Sequence, residues 1–366
     1  MAWSNVMLQF NDDSVCISAI TLQTAVGVNC AQTVAAINAD VAGFFDFPNY
    51  FPIARDPNDE DPEVLAGAFC NYIDLDLPGK SRLYELIKRP LFDIVEQAKL
   101  SRADMGKTAL WFALPEVDPA INALKLGEDF LDECIRHMVL PTFLDVSGIQ
   151  SGATGIYKLI ENAKQFLLES KVQHVLIVSP DSYFIDNRLA HYDDLWRLKT
   201  DRNPFGFIAG EAGTVILLEK VKAAKQRKIK PILGIGNIGT GLEENSIKGD
   251  KSSTGAGLTQ AIEALNLDQN STSPVNWVIS DLNGESYPAY EWGLINVRLN
   301  SLFDDDLTLN HFADTVGEVG AATAGIQLAC AAQAFSEESG PSDHAVIYSG
   351  NEAGMRSAIH VGAIVE

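Results

Sequence analysis

Ser151-Gly152-Ala153-Thr154-Gly155 is the stretch on which the reading of this chain turns. The residues before it, Thr142-Phe143-Leu144-Asp145-Val146, read as a short buried strand. After it, Ile156, Leu159, Ile160, Ala163, Phe166 and Leu167 recur at helical spacing and form one apolar face. A strand, a turn of small residues and an amphipathic helix make an elbow. Such an elbow normally holds a nucleophile at a helix N-terminus, where backbone N–H groups favour an anion. Here the position for the attacking side chain holds Gly152, and none of the five cysteines stands there. The scaffold of acyl transfer is present without its attacking atom.

The alternation of strand and helix continues on both sides. Upstream, Val15–Leu22 reads as a strand, Cys30–Val41 and Ser81–Ala98 as helices, Thr108–Leu114 as a strand and Phe130–Met138 as a helix. Downstream, Val172–Val178 is a strand closed by Ser179-Pro180-Asp181. Ala212–Leu218 is another, with no room for a crossover helix before Lys220, so an antiparallel strand at a sheet edge is expected. The pattern then restarts. Ile232–Ile238 is a strand, Ala256–Leu265 a helix, Trp277–Ser280 a strand, Glu318–Phe335 a helix and His344–Ser349 a strand, with Ser357–Val365 as its hairpin partner.

Val175-Leu-Ile-Val-Ser-Pro180 parallels Ala345-Val-Ile-Tyr-Ser-Gly350, which marks an internal repeat. Two α/β units in tandem predict two parallel-rich sheets covered by helices, as halves 1–222 and 223–366. Insertions are expected at 42–80 and 183–210. In such folds, sites form in the loops beyond the carboxyl ends of strands.

Composition narrows the partner classes. With 366 residues, 46% of them hydrophobic, the chain is large enough for one big or two fused domains. Its 27 basic and 49 acidic residues give a net charge of −22, which argues against nucleic acid or an anionic membrane as partner and leaves a basic or neutral protein open. Cys16, Cys30, Cys70, Cys134 and Cys330 are scattered, as expected of reduced thiols in a cytoplasmic protein. The first ten residues lack the basic and apolar regions of a signal peptide. No apolar run is long enough to span a bilayer.

Other features read more plainly. The six histidines are dispersed, with no metal-ligand spacing, so no metal or cofactor is expected. His191-Tyr-Asp-Asp194 reads as a solvated loop. Gly234-Ile-Gly-Asn-Ile-Gly239 follows the dinucleotide-binding spacing but is not followed by a helix, so it reads as a strand. Arg55-Asp-Pro-Asn-Asp-Glu-Asp-Pro62 reads as an acidic solvated connection.

Taken in order, the motifs resemble the β-ketoacyl-ACP synthases of the thiolase-like superfamily. Phe205-Gly-Phe-Ile-Ala-Gly-Glu-Ala-Gly-Thr-Val-Ile-Leu-Leu-Glu219 is similar to the segment DGFVxGEGAGxLVLE, and Lys222–Lys228 to its continuation. Ser151–Gly155 is similar to the elbow ACATG, which sets Gly152 on the family's cysteine. Asp281-Leu-Asn-Gly-Glu-Ser286 stands for xAHGTST, Gly317–Gly325 for GHxxGAAG, and Ser349-Gly-Asn-Glu-Ala-Gly354 for the loop SFGFGG. The resemblance spans nearly the whole chain. It implies a five-layered α-β-α-β-α fold of two related halves, and a homodimer formed by pairing of edge strands.

The same resemblance removes the chemistry. The family's first histidine falls on Asn283, its second on Glu318 (or Val319), and its lysine near Ala313. Glycine has no side chain to attack with. An anionic Glu318 would repel developing enolate charge. A vestigial site at Gly152, Asn283 and Glu318 is therefore expected, within a polar pocket of Ser151, Asn283, Glu285, Glu318 and Asn351. Ser151 is the nearest alternative nucleophile; its plainer role is to cap the helix with its hydroxyl.

A narrower resemblance, carried by Ser280–Tyr287, Glu291-Trp292, Glu318 and Arg356, is to thiolase-like proteins encoded beside type VI secretion effector and adaptor genes. It implies a non-catalytic accessory protein for effector delivery, with an effector or adaptor as partner. The alternatives are a chain-length-factor-like partner of an active ketosynthase and its acyl carrier protein, and an acyltransferase using Ser151.

Overall fold

The computed structural model describes residues 10–53, 64–137, 143–169, 172–185, 187–267 and 274–364. Ten strands run through the main sheet: β1 (Val15–Thr24), β2 (Thr108–Leu114), β3 (Asp145–Gln150), β4 (His174–Ser182), β5 (Ala209–Lys220), β6 (Leu233–Leu242), β7 (Val275–Ile279), β8 (Phe303–Asn310), β9 (His344–Gly350) and β10 (Met355–Gly362). Their lateral order is β3-β2-β4-β5-β1-β6-β10-β9-β7-β8. Outward from the joint between β1 and β6, each half runs first, fifth, fourth, second, third. The repeat in sequence is thus a repeat in topology.

Two expectations are corrected. β5 is antiparallel, but it pairs with both β1 and β4 and so lies inside the sheet rather than at an edge. The missing crossover fixes only its direction; β1, more distant in the chain, covers its other side. The two sheets are also not separate. β1 and β6 are hydrogen-bonded at Cys16↔Gly234 and Ile17↔Leu233, which makes the ladder continuous. The strand expected at Thr142–Val146 begins at Asp145 instead, and Thr142 lies outside the described residues, as does the acidic stretch 55–62.

The helices that matter here are α1 (Cys30–Asn38), α2 (Gly79–Gln97), α3 (Glu128–His137), α4 (Gly155–Glu169), α5 (Ala256–Glu263), α6 (Ser286–Arg298) and α7 (Thr323–Glu337). α6 and β8 have no counterpart in the sequence reading. Asp304-Asp305-Asp306 hides the strand pattern of β8, whereas Pro288 in the first turn of α6 is a usable helix-start signal.

Side-chain alternation assigns the layers. On β2, Ala109, Trp111 and Ala113 join a core with α1, α4 and α7, while Leu110, Phe112 and Leu114 face α2 and α3. On β9, Ala345 and Ile347 join the central core, and Val346 and Tyr348 face α5 and α6. The result is five layers, with α4 and α7 in the middle. A separate aromatic cluster of Phe47, Phe69, Tyr183, Phe184, Tyr192 and Phe207 ties the two insertions together.

Both central helices begin in the same way. α4 follows a single 3-10 turn at Gly152–Thr154, and α7 follows one at Gly320–Ala322. Each turn opens on a glycine in the left-handed region, φ +53° at Gly152 and +50° at Gly320. There are two elbows, one per half.

Among the described residues, no helix is long and apolar enough to cross a membrane.

Candidate functional site

The two elbows meet at one cavity of about 90 Å³, room for several waters or one small ligand. Gly152 and Ala153 from the first elbow and Glu318 and Gly320 from the second line it, together with loops beyond the carboxyl ends of β2, β4, β7 and β9. Asn283, Glu285 and Asn351 stand in the same wall. Ser151 does not. Its hydroxyl makes no capping bond either; its carbonyl accepts from the Thr154 hydroxyl at 2.9 Å, from Thr154 N–H at 3.3 Å and from Asn351 Nδ2 at 3.4 Å. The expected cap and the expected place of Ser151 in the pocket wall are therefore corrected.

Glu318 was expected to begin a helix. Instead it is held extended: its N–H donates to the Ile208 carbonyl at 2.7 Å, and its carbonyl accepts from Gly210 N–H at 2.9 Å. Gly317, at φ +72°, permits the reversal that sets up this bridge. From there the Glu318 carboxylate accepts from Asn283 Nδ2 at 2.8 Å and from Gly320 N–H at 2.8 Å. Asn283 and Glu318, the positions of the family's two histidines by resemblance, are in direct contact. Ala313, near which the lysine position falls, lies instead on a smaller neighbouring cavity with Phe312 and Ile326, behind Asp281 and Glu318.

The remaining wall is charged. Arg197 binds both oxygens of Glu285 at 2.8 Å and also reaches Glu352. Arg188 binds Asp118 at 2.8 Å and Asp181 at 2.5 Å, and its guanidinium lies 4.1 Å from the Tyr183 ring centre. Arg356 binds Glu291 at 2.7 Å. Lys248, half exposed, bridges Glu116 and Glu352 at 3.3 and 3.5 Å. Seven carboxylates against three guanidiniums line the cavity, an excess of four negative charges if all are ionised.

Burial raises several of these carboxyls above the usual range. It pushes Asp281 up to about 7, where Gly350 N–H opposes the shift and Glu318 adds to it. Glu318 and Asp181 are also raised, chiefly by burial. For Glu352, burial is outweighed by Arg197, and its carboxyl is lowered.

Among the described residues, no cysteine, histidine or lysine lines the cavity. Burial pushes the thiols up, Cys30 to about 11 and Cys134 to about 12, so none offers a ready thiolate. Most of these wall residues escape a reading of the sequence. The available signal was a lone acid closing an apolar strand, as in Asp181 after Val175–Val178 and Asp281 after Trp277–Ile279.

Set against solved structures, the chain is similar to a type II polyketide ketosynthase in complex with its acyl-carrier protein, bound to the hexaketide (TM-score 0.78, 14% identity, 97% of this chain and 100% of that one). The fold is that of the ketosynthases. The ishigamide ketosynthase/chain length factor matches with TM-score 0.72 and 12% identity over 96% of this chain and 99% of that one. The ketosynthase from module 6 of the Bacillus subtilis 168 bacillaene synthase gives TM-score 0.74 and 11% identity, over 96% and 72%. Scanned against family models and curated proteins, the sequence matches none. On this ketosynthase fold the cavity lies where the two elbows converge.

Proposed function

We propose that this chain is a catalytically degenerate ketosynthase homologue, of halves 1–222 and 223–366, that acts as a cytoplasmic binding or accessory protein. One observation carries the reading. The elbow holds a glycine in the left-handed region, and the cavity beside it is lined by carboxylates and guanidiniums, with Asn283 and Glu318 where the resemblance sets two imidazoles. A decarboxylative condensation needs a nucleophile to hold the acyl group and neutral donors to stabilise the enolate. Ser151 is a poor substitute, since among the described residues no side-chain base is hydrogen-bonded to its hydroxyl. The motifs Ser280–Tyr287, Glu291-Trp292 and Arg356 favour a role in type VI effector delivery, and β3 offers a free edge for a homodimer. The test is to incubate the purified chain with acyl- and malonyl-loaded carrier protein. No condensed product is expected, and product formation sinks the reading.

A second reading, a chain-length-factor-like partner of an active ketosynthase, is favoured by the likeness to the ishigamide ketosynthase/chain length factor. Co-expression with ketosynthases of the same host separates the two. A stable heterodimer supports the second reading, and recovery of a secretion adaptor supports the first.

A further inference from the structure

A second cavity lies at the opposite end of the sheet, walled by segments the central site does not use. β5 ends there, its Glu219 paired with His174 at the start of β4, and β10 ends beside the start of β6, at Gly362↔Gly234. The volume is about 470 Å³, against about 90 Å³ for the central cavity. Phe10, Val221, Ile229, Pro231 and Ile364 form its apolar lining. Among the described residues, every charged side chain on it is basic: Lys225, Lys228 and Lys230.

Main-chain bonds hold the walls. Val221 N–H donates to the Ser14 carbonyl and Lys222 N–H to the Asp12 carbonyl, both at 2.9 Å, which fixes the segment before β1 against the short helix Val221–Gln226. Lys228, at φ +56°, ends that helix in the left-handed region, and the turn brings Ile229 N–H to the Ala224 carbonyl at 3.0 Å. The Phe10 ring lies over Gly234, where a Cβ would approach it to 2.1 Å, so the glycine makes room for this wall.

The charge here runs against the rest of the molecule. In a chain of net charge −22, Lys220–Lys230 gathers six basic residues and no acid. Lys222 pairs with Asp13 at 2.6 Å, Lys225 with Asp12 at 2.8 Å, and Arg227 with Glu219 at 2.5 Å. Among the described residues, Lys228 and Lys230 have no ion-pair partner.

The chemistry of the ligand follows from these walls. An ammonium group donates hydrogen bonds and accepts none, so the two lysines call for an anion. The apolar lining offers nothing to a bare ion and favours a body of several carbons. A volume of about 470 Å³ lies in the range of small-molecule sites. We propose that this cavity binds a small amphiphilic anion, a carboxylate carried on an apolar body, with Lys228 and Lys230 on the carboxylate. The inference stands apart from the reading of the central cavity.

The test titrates octanoate into the full chain by calorimetry at pH 8. The neutral control is 1-octanol, and acetate is the anion without an apolar body. Saturable binding of octanoate, and of neither control, is expected. The double substitution Lys228→Gln and Lys230→Gln should weaken it by about tenfold or more, the loss of charge-assisted bonds. Ile229→Ala should weaken it several-fold through lost apolar contact. Lys222→Gln removes a charge of the same segment outside the lining and should leave the affinity unchanged. Thermal melts identify any variant that has unfolded. No saturable binding of octanoate up to about 10 mM, or unchanged affinity in the folded double variant, overturns the proposal. Equal binding of octanol or of acetate overturns it too, as does an equal loss in Lys222→Gln, which would make the attraction a property of the whole basic segment.

Discussion

The two elbows are one backbone device used in two ways. Each runs from a left-handed glycine through one 3-10 turn into a 15-residue helix, α4 or α7. At the second elbow the chain supplies its own anions: Gly320 N–H donates to Glu318, and Ala321 N–H to Asp181 at 2.7 Å. At the first, neither the Gly152 nor the Ala153 N–H donates to a described side chain, and the nearest acid, Glu116, is engaged by Lys248 and Glu352 N–H. One helix start is sealed and the other is left open. Closure of an elbow therefore follows from which carboxylates reach it, not from the turn itself.

That contrast can be broken by substitution. A Cβ on Gly320 would run into the Asp181 carboxylate, at a φ already unfavourable to side chains. Gly320→Ala should cost about 3 kcal/mol or more, because it adds displacement of a buried ion-paired acid to backbone strain; the urea midpoint reads this. At Gly152 the same Cβ meets Glu116 Cβ at 3.0 Å, tighter than an ordinary contact but well short of the 2.1 Å overlap at Gly320. Gly152→Cys should cost only about 1–2 kcal/mol and should restore no condensation, read by denaturation and by assay with loaded carrier protein. If the two costs are equal, the contrast between the elbows fails.

The fold came through in the sequence because its signals are local and ordered: the apolar stripe of α4, the strand at Thr108–Leu114, and the motif series from Ser151 to Gly354. The site came through only in part. Gly152, Asn283 and Glu318 stand at motif positions and could be read. Arg197, which joins Glu285 and Glu352 across 88 and 155 residues of chain, could not, since nothing local marks such a pair. The same holds for the joint between β1 and β6, which depends on pairing between distant segments.

Titration sharpens the contrast further. Burial holds the Asp281 carboxyl at about 7, above its ordinary 3.8, so folding favours its protonated form. This contribution to stability is complete below about pH 4 and is lost as pH rises through 7. The groups acting on it are Glu318, Glu291, Arg356 and Gly350 N–H. Asp281→Asn should flatten the fall in melting temperature between pH 5 and 8, and an unchanged slope would remove Asp281 as its source. The smallest effect is expected at the tie between the two central helices, where the Tyr157 hydroxyl meets Gln327 and Ser349, both at 2.9 Å. Tyr157→Phe should cost about 1 kcal/mol in chemical denaturation.

The contact between Asn283 and Glu318 acts as a latch. A substitution at either position removes that one bond, while Gly320 N–H stays on Glu318 and the Glu285 contacts stay on Asn283. The loop after β7 and the second elbow, 35 residues apart in the chain, are therefore latched to each other, and a change at one is felt by the other.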